Sequence, residues 1–417
     1  MSQPPSNREE VSRWLSTLPT AWTLQRGKFL MREVDRRSAS GSEVLLSLSK
    51  SRGVIRRDEI SEGGGRADTL VGYKVVRPGD LVMNKMQAWN GLFGRSRLDG
   101  LVSPDYSVFE TLPGVDQRWL TYCLQSEFLV GQFAWRSRGM GTAFLRLHPE
   151  NLLDTPIPVP PRDDQRAIAD FLDAETARIN DLVKMRRAML QLLDHRLRST
   201  VALAFERLGH ASPARPVRSF ARIQLGRQRS PDNDDGPFMV PYLRAANVKD
   251  GSLDLADVKK MNFTPSEQMT FSLEEGDVLI SEGAGSLAAV GASAVWHNEL
   301  GGPICFQNTL IRLRALPGTD PNFLAWWCRY AFYCGLFAAI SGGANIYHVS
   351  ADRVRTLLCP SPHLSEQGPV SRHLNEVEAH TRKVSTVIER QIDALVERRQ
   401  SLITAIVTGQ IPVPGAA

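Results

Sequence analysis

Two long amphipathic stripes dominate the pattern of this chain. In the first, Ile168, Leu172, Ile179, Leu182, Met189 and Leu193 recur at steps near three and four, with charges such as Arg186 and Arg187 between them. No Gly or Pro interrupts residues 163–208. The spacing predicts a helix of about 45 residues, about 68 Å long at 1.5 Å per residue. Asp163 and Asp164 stand where a helix start favours side-chain oxygens and negative charge. Gly209, Pro213 and Pro216 predict its end. The second stripe holds Val370, Leu374, Val377, Val384, Ile388, Leu395, Leu402 and Ile406. It predicts a helix with Pro369 in its first turn, ending at Thr408 before Gly409.

The stripes superpose at a shift of 202 residues: Gln165 meets Gln367, Leu172 meets Leu374, Leu193 meets Leu395 and Ser199 meets Ser401. A proline-rich strut precedes each, Pro156–Pro161 and Cys359–Pro362, too dense in proline for helix. Short apolar runs further upstream predict strands at 43–49, 71–76, 81–83 and 101–109, and again at 238–248 and 277–280. Helical spacing covers 119–133 and 323–337, each followed by a glycine-rich loop, Arg136–Thr142 and Ser341–Asn345. Leu112–Asp116 answers Leu316–Asp320, and Gly79-Asp80-Leu81-Val82 answers Gly276-Asp277-Val278-Leu279. The register drifts here, from 197 to 204 residues.

A unit of about 200 residues repeated once is a domain duplication, too long for a solenoid repeat. The pattern divides the chain into a tail with a short helix (1–21), a globular domain (22–161), a long helix (162–209), a second globular domain (210–362) and a closing helix (363–417). Each stripe must bury against something, and the other helix is the natural partner. Antiparallel packing makes the pair self-complementary. The expected fold is α+β: two tandem α/β domains separated by two long helices packed as an antiparallel coiled coil.

Apolar content of 42% and charged content of 23% are ordinary for a soluble protein. No apolar run reaches the ~18 residues of a membrane span, and MSQPPSNREE has no apolar core of a secretory signal. The five cysteines (Cys123, Cys305, Cys328, Cys334, Cys359) form no C-x-x-C pair. Reduced thiols and a cytoplasmic location are expected. Net charge is +5, and residues 1–160 carry 21 Lys+Arg against 17 Asp+Glu. That excess permits a nucleic-acid face without requiring one. Arginine supplies most of the cations, as bidentate recognition of phosphate or guanine favours.

Catalytic signatures are scarce. No phosphate-binding G-x-x-x-x-G-K-[ST] loop and no Asn/Asp-Pro-Pro-aromatic methyltransferase loop occurs. Pro231-Asp232 followed by Asp257-Val258-Lys259 resembles a metal-dependent nuclease pattern, in which two carboxylates hold Mg²⁺ and a lysine assists. A stand-alone nuclease or DNA-modification enzyme using Asp232, Asp257 and Lys259 is therefore an alternative. The loops beside the repeated Gly-Asp turns mix amides, cations and aromatics, the side chains that read base edges and grip phosphates. In the first half the candidates are Lys50, Arg52, Lys85, Gln87, Trp89, Asn90, Arg95, Arg136 and Arg138. In the second they are Arg227, Arg229, Arg244, Asn247, Lys249, Asn345 and Tyr347. They diverge between halves while the helices agree, as two recognition tasks on one scaffold require.

The segments Asp163-Asp-Gln-Arg-Ala-Ile-Ala-Asp-Phe-Leu-Asp173, Tyr242-Leu-Arg-Ala-Ala-Asn-Val248 and Arg398-Arg-Gln-Ser-Leu-Ile-Thr-Ala-Ile-Val-Thr-Gly409 resemble the specificity subunit of type I restriction–modification systems. Ser365-Glu-Gln-Gly-Pro-Val370 departs from the family's P-x-x-E-Q-R-x-I helix start. The resemblance implies two target-recognition domains, each reading half of a bipartite double-stranded DNA sequence. It implies a helix pair that sets the spacing and docks two methyltransferase subunits, through which restriction (motor) subunits join. It further implies no catalysis and no cofactor in this chain; S-adenosylmethionine, ATP and Mg²⁺ belong to the partners. No membrane role is expected.

Overall fold

The computed structural model describes residues 18–50, 52–59, 69–139, 145–343 and 346–414. The expected tail helix at residues 9–18 falls almost wholly outside them. The chain divides into two compact units. One comprises residues 1–187 with 389–417, the other residues 188–388. The division therefore falls within the long helices and not at their ends.

The first unit holds a four-stranded antiparallel sheet in the order Met31–Val34, Tyr106–Thr111, Leu81–Asn84, Phe93–Arg95. The second holds its counterpart: Ala221–Leu225, Leu310–Ala315, Val278–Ser281, Ser293–Val295, again all antiparallel. Each proline strut pairs as a strand with the start of its own domain. Pro156–Val159 lies against Thr23–Arg26, and Leu358–Pro360 against Ala214–Pro216. Both domains are thus closed by joining first and last segments, and the duplication extends to strand order.

The repeated Gly-Asp turns share one geometry. Gly79 and Gly276 adopt φ of +94° and +89°, which favours glycine. Each following aspartate is buried and paired with arginine. Asp80 binds Arg36 and accepts the Arg77 N–H at 2.7 Å; Asp277 accepts Arg314 Nε at 2.8 Å and Nη2 at 2.7 Å. Arg314 stands on the strand Leu310–Ala315, whereas Arg36 follows the strand Met31–Val34, so the two aspartates are paired from different places in the sheet.

Residues 119–133 form two helices, Gln117–Gln125 and Glu127–Arg136, not one. Ser126 between them is extended (φ −67°, ψ 144°) and its hydroxyl accepts the Leu129 N–H at 3.4 Å, capping the second. The run at 101–109 likewise splits into Gly100–Val102 and Tyr106–Thr111, interrupted at Ser103-Pro104.

The central helix spans Arg162–Ala211, 50 residues, and continues through Gly209. The closing helix spans Leu364–Val407, 44 residues, with Pro369 inside it. They run antiparallel. In the first unit Ile168, Ala169 and Leu172, near the start of the central helix, share a core with Ile403, Ile406 and Val407, near the end of the closing helix. In the second unit Leu197, Val201 and Phe205, late in the central helix, share a core with Leu374, early in the closing one. Of the stripe residues, Ile168, Leu172, Ile179, Leu374 and Ile388 are buried, while Leu182, Leu193, Val370, Val384, Leu395 and Leu402 are half-buried. Met189 departs from the stripe at 41% exposure; the buried neighbours on either side are Val183 and Leu197.

One glutamine in each unit locks helix to domain. Gln165 Oε1 accepts the Asp116 N–H at 2.9 Å, and its Nε2 donates to the Pro160 carbonyl at 3.0 Å. Gln367 repeats this with Asp320 (2.9 Å) and Pro362 (3.2 Å). Asp116 and Asp320 cap the helices that begin after them. The echoes at Leu112–Asp116 and at Gln165 therefore describe one joint, in which a buried glutamine meets a half-buried helix start.

Candidate nucleic-acid interface

The loops at one end of each sheet come together through a backbone strap. In the first unit the chain leaves the strand Leu81–Asn84 at Lys85, and the segment after the glycine loop returns beside it. The Leu147 N–H donates to the Lys85 carbonyl at 3.0 Å. Arg138 and Arg146 exchange backbone hydrogen bonds of 3.1 and 3.0 Å across the loop. The second unit repeats the device. The Val349 N–H donates to the Glu282 carbonyl at 2.8 Å, and Gly342 and His348 exchange bonds of 3.0 and 2.8 Å.

On this frame the first unit gathers several candidates. Trp89, half-buried, donates its Nε1 proton to the Met86 carbonyl at 2.8 Å, and the short helix Ala88–Asn90 around it packs on Glu127–Arg136. Gln87 and Asn90 are exposed, and Asn90 accepts from Lys50 Nζ at 3.1 Å. Arg136 stacks over the exposed Trp135 ring at 5.7 Å, with Arg138 and Arg146 nearby in the strap. Arg52 is held by Glu59 at 3.3 Å. The side chains missed by the sequence reading are Trp135, Arg146, Glu282 and His348. The Gly-Asp register of 197 residues, carried five or six positions on, would have matched Lys85 with Glu282.

Arg95 is set apart from this group. It pairs with Leu81 at the far end of the strand pair whose near end carries Lys85. There it lines a pocket of about 270 Å³ with Asp116, Arg118, Arg162 and Arg166. Burial, reinforced by the charge of Arg97, lowers its pKa from the ordinary value. Burial opposes the charge of Arg118 as well, but the hydrogen bonds it donates to Asp170 and Asp116 outweigh it and raise that pKa.

In the second unit several candidates serve the fold. Arg227 donates Nε to Glu267 Oε1 at 2.7 Å, Nη1 to the Asn262 carbonyl at 2.7 Å and Nη2 to Asn233 at 3.1 Å, and lies over Phe263. Asn247 is 2% exposed; it donates to the Asp254 and Asp257 carbonyls at 2.8 and 3.1 Å and accepts the Arg244 N–H. Arg229 pairs with Asp234 at 2.7 Å, and Lys249 is exposed. Tyr347 stands on the strap, paired with Ala284. Asn345 lies outside the described residues.

The side chains of the nuclease pattern are engaged with other partners. Lys259 Nζ sits 2.9 Å from one Asp257 oxygen and Arg244 Nη2 2.6 Å from the other. The Lys259 hydrogen bond holds the Asp257 carboxyl below its ordinary pKa. Asp232 instead accepts the Ser230 hydroxyl at 2.9 Å within a short turn. The lysine and carboxylate that should work on a metal neutralise each other. No helix among the described residues is long and apolar enough to cross a membrane.

No family model matches the chain. Two curated proteins are similar. One is the StySPI specificity subunit, a type I restriction enzyme component of Salmonella potsdam, 27% identical over 174 residues that cover 41% of this chain and 36% of the relative. The other is the EcoKI specificity subunit of Escherichia coli K12, 22% identical over 262 residues, 60% of this chain and 55% of the relative. The matches thus span about a third to a half of those relatives. Among solved structures, one from a study of type I R-M complex assembly and conformational transition aligns with a TM-score of 0.65 at 17% identity, over 95% of this chain and 100% of that one. The HsdS subunit of Thermoanaerobacter tengcongensis aligns at 0.50 and 18%, over 94% and 98%. The curated homologues of this chain are type I restriction enzyme specificity subunits, and its fold is that of solved HsdS subunits.

Proposed function

We propose that this chain is the non-catalytic DNA-recognition subunit of a type I restriction–modification complex. Each globular domain (residues 22–161 and 210–362) reads one half of a bipartite, asymmetric double-stranded DNA target. The antiparallel helices set the spacing and dock two methyltransferase subunits, through which restriction subunits join. S-adenosylmethionine, ATP and Mg²⁺ then belong to the partner subunits. One observation carries this reading: the same sheet, strut and strap occur twice with matching backbone hydrogen bonds, while the side chains displayed on the straps differ. Two copies of one frame with different displays suit two half-sites. The curated relatives support it over the nuclease alternative, as does the use of Asp257 in ion pairs.

The test is a domain exchange. Replacing residues 22–155 with those of a relative, in a chain co-expressed with its methyltransferase subunits, changes one half of the methylated motif. Alteration of both halves, or of neither, contradicts the modular assignment. Mg²⁺-dependent cleavage by the purified chain that Asp257→Ala abolishes would restore the nuclease reading.

A further inference from the structure

The straps show which positions of the two domains correspond. Lys85 and Glu282 each accept the returning strap through the backbone carbonyl, from Leu147 and Val349 respectively. Each follows the second strand of its Gly-Asp turn by the same number of residues. The two side chains at this shared place have opposite charge. We propose that Lys85 and Glu282 are corresponding base-reading positions of opposite hydrogen-bonding sense, Lys85 taking guanine O6 or N7 and Glu282 taking the cytosine amino group. The proposal rests on the DNA-recognition reading above and assigns its chemistry.

A lysine ammonium only donates, and an ionised carboxylate only accepts. Among the described residues, the Lys85 ammonium has no hydrogen-bond partner. Glu282 uses one oxygen: Oε2 lies 3.0 Å from His348 Nδ1, and its side chain is 21% exposed. Its other oxygen has no partner among the described residues. A carboxylate cannot grip phosphates, which repel it. On a DNA-facing loop its productive partners are base amino groups, and cytosine N4 is the matching donor in the major groove.

The surroundings differ in the same sense. In the first unit the strap beside Lys85 carries Arg138 and Arg146, suited to flanking phosphates. In the second those places are Gly342 and His348. Gly283 completes the second arrangement. A Cβ there would stand 3.0 Å from His348 Nδ1, so the bare backbone leaves room for the ring that orients Glu282. The first unit has Met86 at the corresponding place, and Arg146 where the second has His348.

The experiment uses the full chain assembled with its methyltransferase subunits and reads the methylated motif by methylome sequencing, with competition binding on motif variants. Glu282→Lys is expected to replace cytosine by guanine at one position of the second half-site, leaving the first half unchanged. Glu282→Gln, which keeps the shape, is expected to lower the preference for that cytosine roughly tenfold. Lys85→Glu is expected to make the converse change in the first half. Retained binding with an unchanged motif in all three variants overturns the proposal. So does a change at an A·T pair, or a change in the other half-site. A parent complex that methylates no defined sequence would instead sink the DNA-recognition reading itself.

Discussion

Truncating Gln367 tests the joint between domain and helix. The side chain is 2% exposed and its amide closes two bonds, to the Asp320 N–H at 2.9 Å and the Pro362 carbonyl at 3.2 Å. Gln367→Ala leaves the Asp320 N–H and the Pro362 carbonyl without these partners. A buried polar group stripped of its partner costs about 1–3 kcal/mol, so two cost about 2–6 kcal/mol. Partial access of water to the vacated space argues for the lower half of that range. Gln165→Ala should cost the same, because its bonds of 2.9 and 3.0 Å have the same partners by position. The two amides share no partner, so the double variant should lose about the sum of the singles. Urea unfolding followed by circular dichroism measures each. The exposed Gln391→Ala on the same helix should stay within about 0.5 kcal/mol. If both truncations also fall within that margin, the joint does not hold the units as described.

Four further outcomes follow from the same structure. The Arg329 side chain is 8% exposed, binds Glu378 at 2.6 Å and Asp250 at 3.0 Å, and stacks on Trp326; Arg329→Leu should cost about 1–3 kcal/mol in urea unfolding, because both carboxylates are half-buried and Glu378 keeps Arg382 at 2.9 Å. Burial pushes the Tyr122 phenol up to about 12 from 10.0, against its hydrogen bond with Thr176. A pKa raised on folding gives stability that is complete below pH 10 and lost as pH rises towards 12. Tyr122→Phe should therefore flatten the alkaline stability profile by one group, and an unchanged slope would refute this. Of the five unpaired cysteines only Cys334 is exposed, so a thiol reagent should modify one group quickly, and Cys334→Ser should remove that phase. A charge at Leu182 or Leu395 should impair assembly with methyltransferase subunits, seen by size-exclusion chromatography, without changing the methylated motif.

The long helices were legible because their stripes are local in sequence and repeat at one fixed shift. Their ends were less so. Gly209 predicts a stop, yet the helix runs on to Ala211. Glycine weakens a helix by only ~1 kcal/mol, which neighbouring turns offset. The break at Ser126 was hidden because Leu124, Phe128 and Leu129 keep apolar spacing on both sides of it. Strand order and the strap depend on partners distant in sequence, such as Met31 with Thr111 and Lys85 with Leu147, and no spacing rule encodes them. The same limit governs the candidate interface. Arg227 and Asn247 look like DNA-reading side chains in sequence, but both spend their hydrogen bonds inside their own domain. Arg95 follows Trp89 closely in sequence, but the hairpin carries it to the opposite end of the sheet.

The central claim is that two copies of one frame read two different DNA half-sites. Methylome sequencing of cells carrying the chain with residues 22–155 exchanged, beside the parent, tests it most directly. A bipartite motif is expected in the parent, and a motif in which one half alone has changed is expected in the exchange. A single undivided motif, or simultaneous change of both halves, would contradict it.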